Sequence, residues 1–219
     1  MTSFAKTLLE TLEKHLGLIV LGKSEQVRLA LTCLAARGHL LIEDVPGVGK
    51  TTLAEGLARV FSLAFVRIQF TADLLPSDIV GAQIFLQAQG KFELRRGPIF
   101  HQLVLADELN RAPPRTQSAL LEAMGQSQVS LDGVTHELPQ PFIVIATQNP
   151  IDLSGTYPLP DSQLDRFLMR LSLGHLEPSI ESRLIVERRG NPLSEMTPAA
   201  SADDLIRLQA AADAVSVSH

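Results

Sequence analysis

The segment Pro46-Gly47-Val48-Gly49-Lys50-Thr51 constrains this chain more than any other. It lies between a short apolar run, Leu40 to Glu43, and a helical pattern from Thr51 to Phe61 in which Leu53, Leu57 and Val60 share one face. The glycines let the backbone turn tightly, so that successive N–H groups and the positive end of the next helix converge on one anion. Lys50 then reaches the β and γ phosphates of a nucleotide, and the Thr51 hydroxyl serves as a ligand for Mg²⁺. The reading is a phosphate-binding loop between a strand and a helix, with Pro46, Gly47, Val48, Gly49, Lys50, Thr51 and Thr52 around the phosphates. One position departs from the full pattern: Asp44 stands where the first glycine is expected.

The rest of the chain fits such a loop. It has 219 residues, 45% hydrophobic and 20% charged, which suits one cored domain, or one domain with a small appendage. Further apolar runs at Ala64 to Phe70, Leu103 to Asp107, Phe142 to Thr147 and Leu168 to Leu173 alternate with helical text. That pattern predicts an α/β fold, a buried parallel sheet of about five strands with helices on both faces. Amphipathic helices are expected on Leu8, Leu9, Leu12 and Leu16, and on Val27, Leu31, Leu34 and Ala35, with another opening at Pro113-Pro114. Two stretches exceed a minimal alternation: Asp73 to Pro98, and Gln126 to Pro139, where Asp132-Gly133 predicts a hairpin. After Leu173 a helix is expected over Pro178 to Arg189, and another behind a Ser201 cap followed by acidic residues, its text running Leu205, Leu208, Ala212 and Val215.

Two more strand ends carry polar chemistry. The run Gln102 to Glu108 places Asp107 where open α/β sheets bind ligands and where it can hold Mg²⁺, with Glu108 next to it to polarise an attacking water. Read alone, such a pair also fits a solvated turn or a helix cap. The run Ile143 to Pro150 ends in Asn149, which can orient the water or touch the γ-phosphate, or serve as ordinary turn chemistry before proline. The net charge of −5 leaves no general attraction for nucleic acid. A single cysteine, Cys33, excludes an internal disulfide and points to the cytoplasm, while none of the apolar runs is long enough to cross a membrane. The six histidines lack metal-binding spacing.

Glu43-Asp44-Val45-Pro46-Gly47-Val48-Gly49-Lys50-Thr51, Ala106-Asp107-Glu108-Leu109-Asn110-Arg111-Ala112-Pro113-Pro114, Ala146-Thr147-Gln148-Asn149-Pro150 and the Gly155 to Phe167 stretch together resemble the MoxR family of AAA+ ATPases. Asp44 belongs to that resemblance, which spans roughly Leu21 to Leu173. It implies Lys50 and Thr51 as Walker A, Asp107 and Glu108 as Walker B, Asn149 as sensor 1, and Arg166 as an arginine finger for a neighbouring subunit. The bland alternative for Arg166 is a surface ion pair with Asp165. Leu18 to Gly22, with Leu21 and Gly22, corresponds to the strip along the adenine. The two extra stretches correspond to the helix-2 and pre-sensor-1 inserts, which face the central pore in ring-forming relatives; packing or edge-protecting roles are the alternative.

The resemblance also places a sensor-2 arginine beyond the last residue of this sequence, so the expected division is an ATPase core over 1–173 and a partial helical lid over 174–219. Its functional implication is Mg²⁺-dependent ATP hydrolysis in a homo-oligomer, a hexameric ring, that remodels or matures a client protein, with a von Willebrand factor A domain protein as the expected partner. Two rival expectations stand beside it. One is a non-catalytic ATP-binding scaffold that lacks sensor 2, and the other is a DNA-associated ring motor, against which the net charge argues.

Overall fold

Five parallel strands carry the structure, and the order in which the chain visits them sets where a ligand can bind. The computed structural model describes residues 3–150, 155–180, 182 and 193–215. Helices α1 (Ser3–Gly17) and α2 (Ser24–Ala35) precede β1 (Leu40–Glu43), and α3 (Lys50–Val60) leads to β2 (Phe65–Gln69). A short α4 (Pro76–Val80) and the antiparallel strands β3 (Gly81–Leu86) and β4 (Lys91–Arg96) follow, then β5 (Leu103–Asp107) and α5 (Pro114–Gln126). The hairpin β6 (Gln128–Leu131) and β7 (Val134–Glu137) comes before β8 (Ile143–Gln148), α6 (Asp161–Leu164), β9 (Met169–Leu171) and α7 (Ala202–Asp213).

The main sheet has the order β2-β5-β8-β1-β9, with every pairing parallel. The first strand therefore lies inside the sheet between two later ones, and the crevice at such a switch point opens beyond the strands' carboxyl ends. Strand side chains alternate between two cores. Leu40, Ile42, Leu103, Leu105, Ile143 and Ile145 pack with α1, α2, α3 and α7 on one face. Leu41, Val104, Ala106, Val144 and Ala146 pack with α4 and α5 on the other. Near-continuous apolar strands are the sequence signature of this two-sided burial.

Both expected extra stretches are built on hairpins. Asp132 and Gly133 both have positive φ, 50° and 80°, the backbone that a two-residue hairpin turn requires. In the other stretch, Phe85 lies opposite Phe92 with ring centroids 5.1 Å apart, and both rings are more than half exposed. Cys33 is fully buried and its thiol is pushed up to about 12, mainly by burial, as fits a packing residue.

Several expectations shift. The last strand pairs only over Met169–Leu171, because Leu168 turns outward and its N–H donates to the His39 carbonyl. On α7, Leu205, Leu208 and Gln209 are buried whereas Ala212 is exposed, and Val215 lies exposed beyond the helix end. The reason is that α2, on which α7 packs, ends at Ala35. Gln209 donates to the Leu34 carbonyl, and the next contact is the surface pair Arg37–Asp213. The Ser201 cap of α7 forms as expected, its Oγ accepting from the Asp204 N–H, and the Asp204 carboxylate accepting from the Ser201 N–H completes a capping box. The helix expected from Pro178 to Arg189 lies mostly outside the described residues; its opening turn, 178–180, is helical.

His39, buried beside β1, joins three elements. Its Nδ1 accepts from the Val144 N–H at 3.0 Å, so the proton of the neutral ring sits on Nε2, which faces the Met124 carbonyl at 3.2 Å. Burial lowers its pKa below the ordinary 6.5, outweighing the opposite influence of the Met124 bond. Between the depressed folded value and 6.5 the unfolded chain binds more protons, so stability is full above pH 6.5 and declines as pH falls, by at most about 1.4 kcal/mol per pH unit. The thermal midpoint is expected to drop between pH 7 and 5.5 more steeply in the wild type than in His39→Gln; equal slopes would exclude His39 as the cause.

Candidate active site

The loop after β1 leaves the first turn of α3 without an N-terminal side-chain cap. Its N-cap is Gly49, at φ 96° and ψ 19°, a left-handed backbone that suits glycine. The first N–H groups of a helix lack intrahelical acceptors, and here they face a cavity of about 360 Å³. Pro46, Gly47, Gly49, Lys50, Thr51, Thr52, Asp107, Glu108 and Asn149 line it, together with Arg67 and Gln69. Ten of the expected residues are thus sorted by one cavity: nine line it, and the tenth, Val48, packs against the core instead.

Lys50 Nζ donates to two carbonyls, Asp44 at 2.6 Å and Gln148 at 3.4 Å. Its pKa is lowered, first by burial, against the pull of Asp107, Asp44 and Glu108. An ammonium held by carbonyls at the mouth of orphan amides suits a phosphate. The donor set also fits Mg²⁺: the Thr51 hydroxyl and Asp107 carboxylate are hard oxygen donors on one cavity. Among the described residues there is no cluster of three or more His, Cys, Asp or Glu able to hold a metal, so a cation here would complete its shell with water or phosphate oxygens.

Asp44 has a structural reason to replace glycine. Its Oδ2 accepts from Ser172 Oγ at 2.9 Å and the Gly174 N–H at 2.6 Å, and its Oδ1 from the Val45 N–H at 2.8 Å. Burial pushes its pKa up, but these hydrogen bonds prevail and hold the carboxyl below its ordinary value. The carboxylate thereby ties the phosphate loop to the chain leaving β9.

At the end of β5, the buried Thr147 hydroxyl donates to Asp107 Oδ1 at 2.6 Å and accepts from the Glu108 N–H at 2.9 Å. Glu108 has left-handed backbone, φ 57° and ψ 47°, which costs a non-glycine residue about 1–3 kcal/mol and is typical of functional sites. Its Oε2 accepts from Gln69 at 2.8 Å and Arg111 at 3.1 Å. Asp107 Oδ2 is engaged by Arg67. Sequence reasoning missed Arg67, Gln69, Thr147 and Arg111. The signal for the first two was present: in Phe65–Gln69 they are polar at period two, so one face of an apparently apolar run points to the strand's polar end.

Three expected residues lie elsewhere. Leu21 and Gly22 do not line the cavity; a Cβ on Gly22 would come within 2.6 Å of the Ile180 side chain, so this turn rests on the segment after β9. Arg166 is also absent from the lining, and its Nη1 donates to the Leu121 carbonyl of α5 at 2.9 Å.

The family described as "ATPase family associated with various cellular activities (AAA)" matches residues 39–169. An uncharacterized protein of Bacillus subtilis, YeaC, is 48% identical over 199 residues, 90% of this chain and 62% of that protein. Chaperone MoxR1 of Mycobacterium tuberculosis is 46% identical over 191 residues, 87% of this chain and 50% of that protein. The chain thus spans about half to three fifths of the length of these relatives. A crystal structure of a protein assigned as an ATPase, from Cytophaga hutchinsonii, superposes with a TM-score of 0.86 at 37% identity, covering 99% of this chain and 67% of that one. Loop, sheet order and relatives agree, and the chain belongs to the AAA family of ATPases as a MoxR-type AAA+ protein.

Proposed function

We propose that this chain is the ATP-hydrolysing part of a ring-forming, chaperone-like machine that remodels a client protein. One observation carries the reading: Lys50, Thr51, Asp107, Glu108 and Asn149, drawn from three separate strand ends, line a single cavity beside the uncapped amides of α3. The M. tuberculosis relative named as a chaperone supports the client side of the proposal.

The chemistry follows from position. Backbone amides of the loop and Lys50 bind and orient the β and γ phosphates. Thr51 and Asp107 are the residues that would hold Mg²⁺, which supplies charge neutralisation across the phosphates when bound. Glu108 orients and polarises the water in line with the γ-phosphate, and Asn149 meets that phosphate from the β8 side. Since Arg166 lies outside its own cavity, it is assigned to the neighbouring subunit's γ-phosphate, which makes the site complete only in a ring. The exposed Phe85–Phe92 pair on the β3–β4 hairpin supplies an apolar surface for the client, with a von Willebrand factor A domain protein as the proposed partner. Residues 174–219 are proposed as a partial lid and the cytoplasm as its location, which the single buried Cys33 supports.

Three variants test this. Lys50→Ala is expected to weaken ATP binding by about 10²-fold, the scale of lost charge-assisted contacts, and calorimetry that finds unchanged affinity would refute the loop assignment. Glu108→Gln is expected to bind ATP as the wild type does while turnover falls roughly 10²–10⁴-fold. Full turnover in that variant would remove Glu108 from the chemistry, whereas a wild type that binds ATP without hydrolysing it at any protein concentration would favour a scaffold. Arg166→Ala should lose on the order of 10³-fold in rate, and mixing it with Lys50→Ala should restore part of it, because each subunit supplies what its neighbour lacks. No recovery at any ratio would contradict action between subunits.

A further inference from the structure

The carboxylate best placed for a metal already holds a cation. Asp107 Oδ2 accepts from Arg67 Nε at 3.0 Å and from Arg67 Nη2 at 2.5 Å, while Oδ1 accepts from Thr147. A carboxylate oxygen has two lone pairs, so one guanidinium uses both on Oδ2. Strand pairing explains the encounter. Gln69 lies opposite Asp107, and Arg67, two residues earlier on the same face, extends along β2 to reach it. The two partners differ in freedom. The Asp107 side chain is 10% exposed and anchored by Thr147, whereas that of Arg67 is 49% exposed, with Gln69 Oε1 as its other hydrogen-bond partner. In this pair the arginine can leave and the aspartate cannot.

We propose that Arg67 is the counter-ion of Asp107 while no nucleotide is bound, and that it must release Oδ2 before Mg²⁺ can be held there, so that Arg67 sets the Mg²⁺ requirement of nucleotide binding. A guanidinium and a divalent cation cannot share one oxygen without strong like-charge repulsion. Arg67 is thus a positioning residue that competes for a ligand. This inference rests on the cavity's being a Mg²⁺-nucleotide site.

The test is calorimetric binding of ADP to the full chain, with Mg²⁺ titrated at fixed ADP and a parallel series in EDTA, for wild type, Arg67→Gln and Arg67→Lys. All three share the same Mg²⁺–ADP equilibrium in solution, so differences among them report the protein. The half-effective Mg²⁺ concentration is expected to fall about tenfold in Arg67→Gln, the scale of a charge-assisted pair, with affinity in EDTA within about twofold of wild type. Arg67→Lys should fall in between, since an ammonium keeps the charge without the fork. The nucleotide-free Arg67→Gln protein should melt below wild type, and the gap should narrow with Mg²⁺ and ADP present. An unchanged or raised Mg²⁺ requirement overturns the proposal, as does an equal loss of affinity with and without Mg²⁺, which would put Arg67 on the phosphates. If wild type binds nucleotide in a Mg²⁺-dependent way and the variants share its requirement, only the role of Arg67 falls. If wild type binds no nucleotide, the reading of the cavity falls with it.

Discussion

The parallel pairing of β5 with β8 is the constraint on which the site depends. In its register Ala106 lies beside Ala146, so the next residues, Asp107 and Thr147, come side by side at the carboxyl end of the sheet. The buried Thr147 hydroxyl then spends its one proton on Asp107 and takes the Glu108 N–H in return. A fully buried hydroxyl cannot turn to water instead, so this short relay fixes both the Asp107 carboxylate and the backbone of its neighbour. It also helps to hold Glu108 in its left-handed conformation, where the carboxylate projects toward the cavity rather than continuing the strand. A one-residue slip of β8 would move each of its own side chains to the opposite core as well as break the relay, so packing and the relay favour the same register.

Charge in the cavity is balanced by arrangement rather than by number. Lys50 is held by carbonyls, Arg67 by Asp107, Arg111 by Glu108, and Asp44 by amides and a hydroxyl. Lys50 and the open amides are thus the groups left to meet an anion, while the carboxylates are shielded by cations on their outer side. Such an arrangement offsets the repulsion that the adjacent carboxylates would otherwise create.

Much of this was legible in the sequence because it is periodic or local. The glycine loop, the acidic end of Leu103–Asp107 and the turn at Asp132-Gly133 are written in contiguous residues, and the structure places them where those patterns predict. Asp44 looked like a defect in a loop motif; its purpose depends on Ser172 and Gly174, more than a hundred residues away, and could not be read locally. Arg67 and Gln69 were hidden for a different reason. They belong to an edge strand that is apolar on its other face, so their composition reads as core while their position makes them cavity wall. On α7, helical periodicity names a run of apolar residues without saying how long its partner is, and α2 ends before Ala212 is covered.

The proposed division of labour between subunits finds its mechanical counterpart in α5. This helix begins at Pro114, just after the turn that carries Glu108 and Arg111, and its Leu121 carbonyl accepts from Arg166. At 1.5 Å per residue, the seven steps from Pro114 to Leu121 amount to about 10 Å of rigid rod. Gln117, buried midway, donates to the carbonyls of Leu109 and Tyr157, so it joins the residue after Glu108 to the segment leading to Arg166. Glu108 and Arg166 are thus connected through the close packing around α5. If Arg166 serves the adjacent site, α5 is the packed element that lies between this arginine and the Glu108 turn, and the buried Gln117 ties that helix to both flanking segments.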